Sequence, residues 1–169
     1  SQGAQPILSY NYGARQYDRV METIRLSLKT TLAFTMLATC SIVLFPGFFI
    51  RLFGSDPDLI RLGSPMLQIY IGGCFVLGAN STFQQTYHAL GEGKCSFFFA
   101  FYRKAILLIP LIYILPAMTG LGIFGLVLAE PVSDLLTTFT NALYFRTFIH
   151  KKLEEQNVSE FTSQKEAKI

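Results

Sequence analysis

Three stretches of this chain, residues 30–50, 62–91 and 105–129, carry no charged side chain. A helix needs about 20 apolar residues to cross a bilayer core. Each stretch reaches that length, and apolar helices buried in soluble proteins are usually shorter. The overall hydrophobic content, 51%, would suit a soluble domain. The membrane reading therefore rests on where charge is absent, not on composition. It predicts an all-α polytopic membrane protein, embedded in the lipid bilayer.

Four spans are expected, over about 25–53, 62–90, 97–116 and 121–148. The last shows no clean gap, because Glu130 and Asp134 interrupt it. Residues before Tyr12 read as the end of a preceding helix. The chain opens without an initiator Met or a signal peptide, so upstream sequence is expected. Basic residues in the successive connecting segments number four, two, three, none and five. That alternation places the first segment, the middle loop and the tail in the cytoplasm. The middle loop is credited with Lys94, Arg103 and Lys104, the last two snorkelling to the cytoplasmic interface. Residues 151–169 read as a polar, disordered cytoplasmic tail.

Polar side chains inside spans must face protein or water. Glu130, Asp134, Thr137, Thr138 and Asn141 fall at steps of three and four and share one helical face. Asn80, Ser81, Gln84, Gln85 and His88 form a second arc, within about 140° of one another. Two uses of these arcs stay open. They can line a cavity, with carboxylates for cations or protons and amides for adaptable hydrogen bonds. They can equally brace one helix against another. Thr23, Ser27, Thr31, Thr35 and Thr39 repeat every four residues and read as packing.

Several function classes find no support. There is no phosphate-binding loop, no Ser/His/Asp set and no metal-ligand spacing, so no enzyme, cofactor or metal is expected. Basic residues are not interleaved with aromatics on a polar face, so no nucleic-acid partner is expected. Cys40, Cys74 and Cys95 sit in or beside apolar runs and match no metal motif.

Three stretches carry a family resemblance: GAQPILSYNYGARQYDRVMETI over 3–24, FQQTYHALGEGK over 83–94 and GLGIFGLVLAEPVSD over 120–134. In order and spacing they resemble the multidrug and toxic compound extrusion transporters. The resemblance implies twelve helices in two similar lobes around a central cavity. This chain would supply the end of helix eight and helices nine to twelve. Residues 1–150 would then be part of the C-terminal lobe, without the first lobe. The implied activity is secondary antiport: export of cationic or amphipathic small molecules in exchange for protons or sodium, in a bacterial inner membrane. The implied cavity face comprises Asn80, Gln84, Gln85, Glu130, Asp134 and Asn141. Sodium-linked members carry an Asp near the place of Asn80, and an Asn does not supply that charge. Two rival readings remain: a lipid-linked oligosaccharide flippase of a related branch, and a non-transporting membrane assembly protein. The fragment alone is expected to be inactive.

Overall fold

A computed structural model describes residues 2–54, 56–120 and 122–166. Among these there is no strand. Helix α1 covers Ala4–Gly13 and α2 covers Tyr17–Leu44. Between them Arg15 takes a positive φ of 57°, which lets the chain reverse. Helix α2 stops because Pro46 restricts the residue before it. Phe45 leaves helical geometry at φ −126°, ψ 52°, and the short α3 (Pro46–Arg51) begins at the proline. Helix α4 spans Pro57–Gly72. Its N-cap is Asp56, whose carboxylate accepts from the Asp58 backbone N–H at 3.0 Å.

The second crossing is broken. After Gly72 one 3₁₀ turn, Cys74–Val76, intervenes before α5 (Leu77–Ala89). The third crossing contains α6 (Gly93–Phe101), a π-helical stretch over Tyr102–Leu108, and α7 (Ile109–Thr119). The wide turns precede Pro110, which has no N–H and whose ring crowds the carbonyl four residues back. Gly120 and Gly122, with φ of 63° and 53°, turn the chain into α8 (Ile123–Glu166).

Among the described residues four segments are long and apolar enough to cross a bilayer: Tyr17–Leu44, Pro57–Ala89, Gly93–Met118 and Ile123–Lys152. The protein is thus an all-α polytopic membrane protein with four transmembrane helices, preceded by α1. The structure corrects three details. The third span runs Gly93–Met118, and Arg103 and Lys104, credited to the middle loop, lie about ten residues inside it. The first span ends at Leu44, and α3 is a separate helix. Helix α8 continues through residue 151 to Glu166, where a disordered tail was expected.

The spans meet through small residues and hydroxyls. A Cβ on Gly78 would lie 2.7 Å from the Thr31 carbonyl oxygen, so α5 approaches α2 backbone to backbone. The threonine ladder serves this contact. Thr31 and Thr82 hydroxyls pair at 2.9 Å, and Thr35 donates to the Phe75 carbonyl at 2.9 Å. Thr31 and Thr35 also bond back to Ser27 and Thr31 carbonyls. A Thr31→Ala/Thr82→Ala cycle is expected to give a coupling of about 0.6 kcal/mol, the usual worth of such bonds between membrane helices. Stepwise unfolding in mixed detergent micelles measures it, and a coupling near zero would remove the hydroxyl pair from the account. A buried cluster at one end joins Leu8, Val20, Ile24, Phe83, Tyr87, Phe99, Phe145 and Ile149. Leu135, Leu136, Phe139 and Leu143 of α8 are exposed, as a lipid-facing stripe should be.

At the end of that cluster Glu92 accepts from the Lys152 ammonium. This hydrogen bond, together with the lysine's charge, holds the Glu92 carboxyl below its ordinary value. A carboxylate depressed in the folded state stabilises above its unfolded pKa and loses that contribution as pH falls through the folded one. The α5–α6 turn should therefore stay tied to α8 at neutral pH and loosen in acid. Amide exchange at residues 91–93 reads this, and Lys152→Ala should abolish the pH dependence.

Candidate substrate and ion site

Helix α8 carries Pro131 where an amide would otherwise close the turn to Val127, so the helix is weakened beside its acidic residues. Gly73, in the break of the second span, faces it. A Cβ there would sit 2.3 Å from Pro131 Cβ and 2.7 Å from its Cα. The broken span and the proline therefore fit each other closely and hold this part of α8 in place.

Four charges converge here. Arg103 Nε lies against Asp134 Oδ1, meeting it as a charge without hydrogen-bond alignment. Arg103 Nη2 is 3.4 Å from Glu130 Oε1. Lys104 Nζ donates to the same oxygen at 2.7 Å. The π-helical stretch contributes directly, because the Arg103 carbonyl accepts from the Ser133 hydroxyl at 3.0 Å. Both termini of the pairing are thus fixed: the Arg103 backbone by Ser133 and its guanidinium by Asp134. The accessibilities are graded. The Asp134 side chain is 1% exposed, Glu130 18%, Arg103 20% and Lys104 57%.

Depth follows from helix rise. Arg103 lies ten residues after Gly93, about 15 Å into its span, and Glu130 lies about 10 Å after Ile123 in an antiparallel neighbour. The cluster therefore lies within both spans and away from their terminal turns. The expectation that Arg103 and Lys104 snorkel to the cytoplasmic surface is corrected by their pairing with the acids. Two cations and two anions leave the group without net charge.

A second group joins α5 to α8. Tyr87 donates its hydroxyl to Asn141 Oδ1 at 2.7 Å, and Asn141 Nδ2 donates to Asn80 Oδ1 at 2.8 Å. All three side chains are buried. Asn141→Leu should leave a buried Asn80 acceptor and the Tyr87 hydroxyl unsatisfied, at about 1–3 kcal/mol, read as lost thermal stability. Gln84 and Gln85 are half-buried on α5 and belong to neither group, and Ser81 and His88 on the same arc are exposed.

The six expected site residues thus divide. Glu130 and Asp134 come together with Arg103 and Lys104. Asn80 and Asn141 come together with Tyr87. Gln84 and Gln85 stand apart. Arg103, Lys104 and Tyr87 are the members that periodicity missed. The sequence did hold a signal for the basic pair. It falls within the most apolar of the four spans, where a cation needs a buried partner. Among the described residues no group of three or more His, Cys, Asp or Glu side chains is arranged to hold a metal.

Comparison with known proteins follows the same lines. The MatE family profile matches residues 1–114. An inward-facing multidrug resistance MATE family transporter of the MOP superfamily superposes with TM-score 0.83 at 15% identity, covering 90% of this chain and 36% of that one. The MATE multidrug transporter DinF-BH, solved in complex with a small-molecule ligand, is 34% identical with TM-score 0.77, covering 85% of this chain and 32% of that one. The Vibrio cholerae MATE transporter VcmN in its bent form gives 0.78 at 17% identity, covering 88% and 33%. The chain spans about a third of the length of these transporters. No curated protein sequence matches it significantly. The fold, the matched residues and the one-third identity to DinF-BH agree: this chain belongs to the MatE family, the multidrug and toxic compound extrusion transporters.

Proposed function

We propose that the gene product containing this chain is a secondary active antiporter. It exports cationic or amphipathic compounds against protons or sodium, with this chain forming part of its C-terminal lobe and the end of α8 in the cytoplasm. The observation that carries this reading is the group of four charges deep in otherwise apolar spans. Each charge at that depth costs about 2.5–3.5 kcal/mol to insert alone. Such a group is retained where it meets an ion pathway or a charged ligand. The ligand complex of DinF-BH supports a small-molecule ligand here as well. Of the proposed wall, Glu130, Gln84 and Gln85 keep exposed surface for a ligand, while Asp134, Asn80 and Asn141 are held by protein partners and set its shape.

The flippase reading gains a specific observation, since Arg103 and Lys104 lie within a span. A pyrophosphate needs surplus positive charge, however, and Glu130 and Asp134 cancel what is present. The antiport reading is therefore preferred.

The direct test is ethidium efflux from cells expressing the complete gene, with and without an uncoupler and with sodium varied. Efflux that needs either ion gradient supports the proposal. Glu130→Gln should then reduce efflux about tenfold or more, as expected for loss of a charged contact in a desolvated site. Efflux indifferent to both gradients, or unaffected by that substitution, would count against it.

A further inference from the structure

Of the four charges, two are fixed and two are not. Arg103 is tied at its backbone by Ser133 and at its guanidinium by Asp134, which is fully enclosed. Lys104 holds Glu130 with one ammonium and is otherwise open on more than half of its side-chain surface. Lysine is a compact cation on a flexible stem, and an exposed ion pair of this type is weakly held. Its ammonium occupies, at 2.7 Å, the one carboxylate oxygen that both basic side chains approach. A charged amine arriving from the open side would meet that oxygen already taken.

We infer that Lys104 is a tethered competitor for organic cations: its ammonium holds the Glu130 carboxylate between transport events, and a cationic ligand binds by taking its place. This rests on the antiport reading above and adds a ligand class and a means of regulation. The two pairs then have separate tasks. Arg103 and Asp134 form a strut that fixes the distance between the π-helical stretch and α8. Lys104 and Glu130 form the exchangeable contact mounted on it. The arrangement also explains why the group is neutral. Without Lys104 the Glu130 carboxylate would keep only the 3.4 Å approach of Arg103, which Asp134 already engages, and an under-compensated carboxylate in an apolar span is costly. With it, the Glu130 carboxylate is met by a cation in both states, the lysine ammonium when the site is empty and the ligand when it is filled. Ligand selection becomes a competition. A cation with a large apolar body gains burial that Lys104 lacks, whereas a small hydrophilic amine gains nothing over it.

The test uses the complete gene product in lipid nanodiscs and measures ethidium binding by fluorescence polarisation. Lys104→Met should tighten ethidium binding about two- to fivefold, the range an exposed ion pair is worth. Lys104→Gln, which removes the charge but keeps a polar side chain, should do the same. Lys104→Arg should bind at the wild-type level, and the gain should vanish in a Glu130→Gln background. Wild-type binding that Lys104→Met and Lys104→Gln leave unchanged or weaken would overturn this inference while leaving drug export standing. Absence of ethidium binding by the wild type itself would overturn both.

Discussion

Replacing Arg103 with Met should destabilise the protein by about 3–5 kcal/mol, the largest single effect expected here. The reason is the partner left behind. Asp134 is 1% exposed, and without the guanidinium its carboxylate is a buried charge facing only Lys104 across Glu130. Breaking a buried pair on one side costs about 3–5 kcal/mol, whereas replacing both members with apolar groups is often close to neutral. The double variant Arg103→Met/Asp134→Leu should therefore recover most of the loss. Thermal unfolding of the purified complete protein in detergent checks the pair. If the single and double variants lose the same amount, Arg103 acts through something other than Asp134. The Ser133 hydroxyl bond to the Arg103 carbonyl survives both substitutions, so it cannot account for a recovery.

Gly73→Ala is expected to cost about 1–3 kcal/mol or more, the range for forcing atoms into a filled interior. The new methyl would stand 2.3 Å from Pro131 Cβ and 2.7 Å from Pro131 Cα, with the Pro131 carbonyl at 3.2 Å. None of these is the far end of a flexible side chain, so relief requires moving α8 itself. That movement would also shift Glu130 and Asp134, one residue before and three after the proline. Lost stability should thus be accompanied by weaker ethidium efflux. Pro131→Gly removes the nearest atom but not the Cα, so it should rescue Gly73→Ala only in part. The neighbouring Gly72 is the control: nothing lies within 4 Å of a Cβ there, and Gly72→Ala should be nearly silent.

The sequence disclosed what depends on solvent and missed what depends on the partner. Charge-free runs are a direct consequence of a hydrocarbon environment, so the apolar segments themselves were legible, although the first lies at Tyr17–Leu44 and not at 25–53. The face shared by Glu130, Asp134 and Asn141 was legible because helical periodicity is local. The lipid-facing side of α8, with Phe139 and Leu143 exposed, followed from the same count. Arg103 was placed wrongly because a cation near an aromatic cluster reads the same at an interface as inside a span. Only the acids of the next helix decide between the two. Tyr87 was missed because its hydroxyl partner, Asn141, lies 54 residues away. The break of the second span was foreshadowed by Gly72-Gly73 but not fixed by it, since the close approach that uses Gly73 belongs to Pro131 on another helix. The helical course of α8 past 150 escaped a compositional reading, because a charged polar segment reads as tail or helix alike.

The neutral charge group has a consequence for how the protein is made. Arg103 and Lys104 belong to one crossing, Glu130 and Asp134 to the next, and a tight turn at Gly120 and Gly122 joins them. Entering the bilayer singly, the first of these crossings would carry two uncompensated cations, a penalty of about 5–7 kcal/mol on insertion scales. Entering together, each helix brings the other's counter-charge. Joint entry of the two crossings should therefore be favoured over entry of the third alone. The counter-charges thus tie the last two crossings together during biogenesis, and a chain cut in the turn between them should insert its most apolar crossing less readily than the uncut chain.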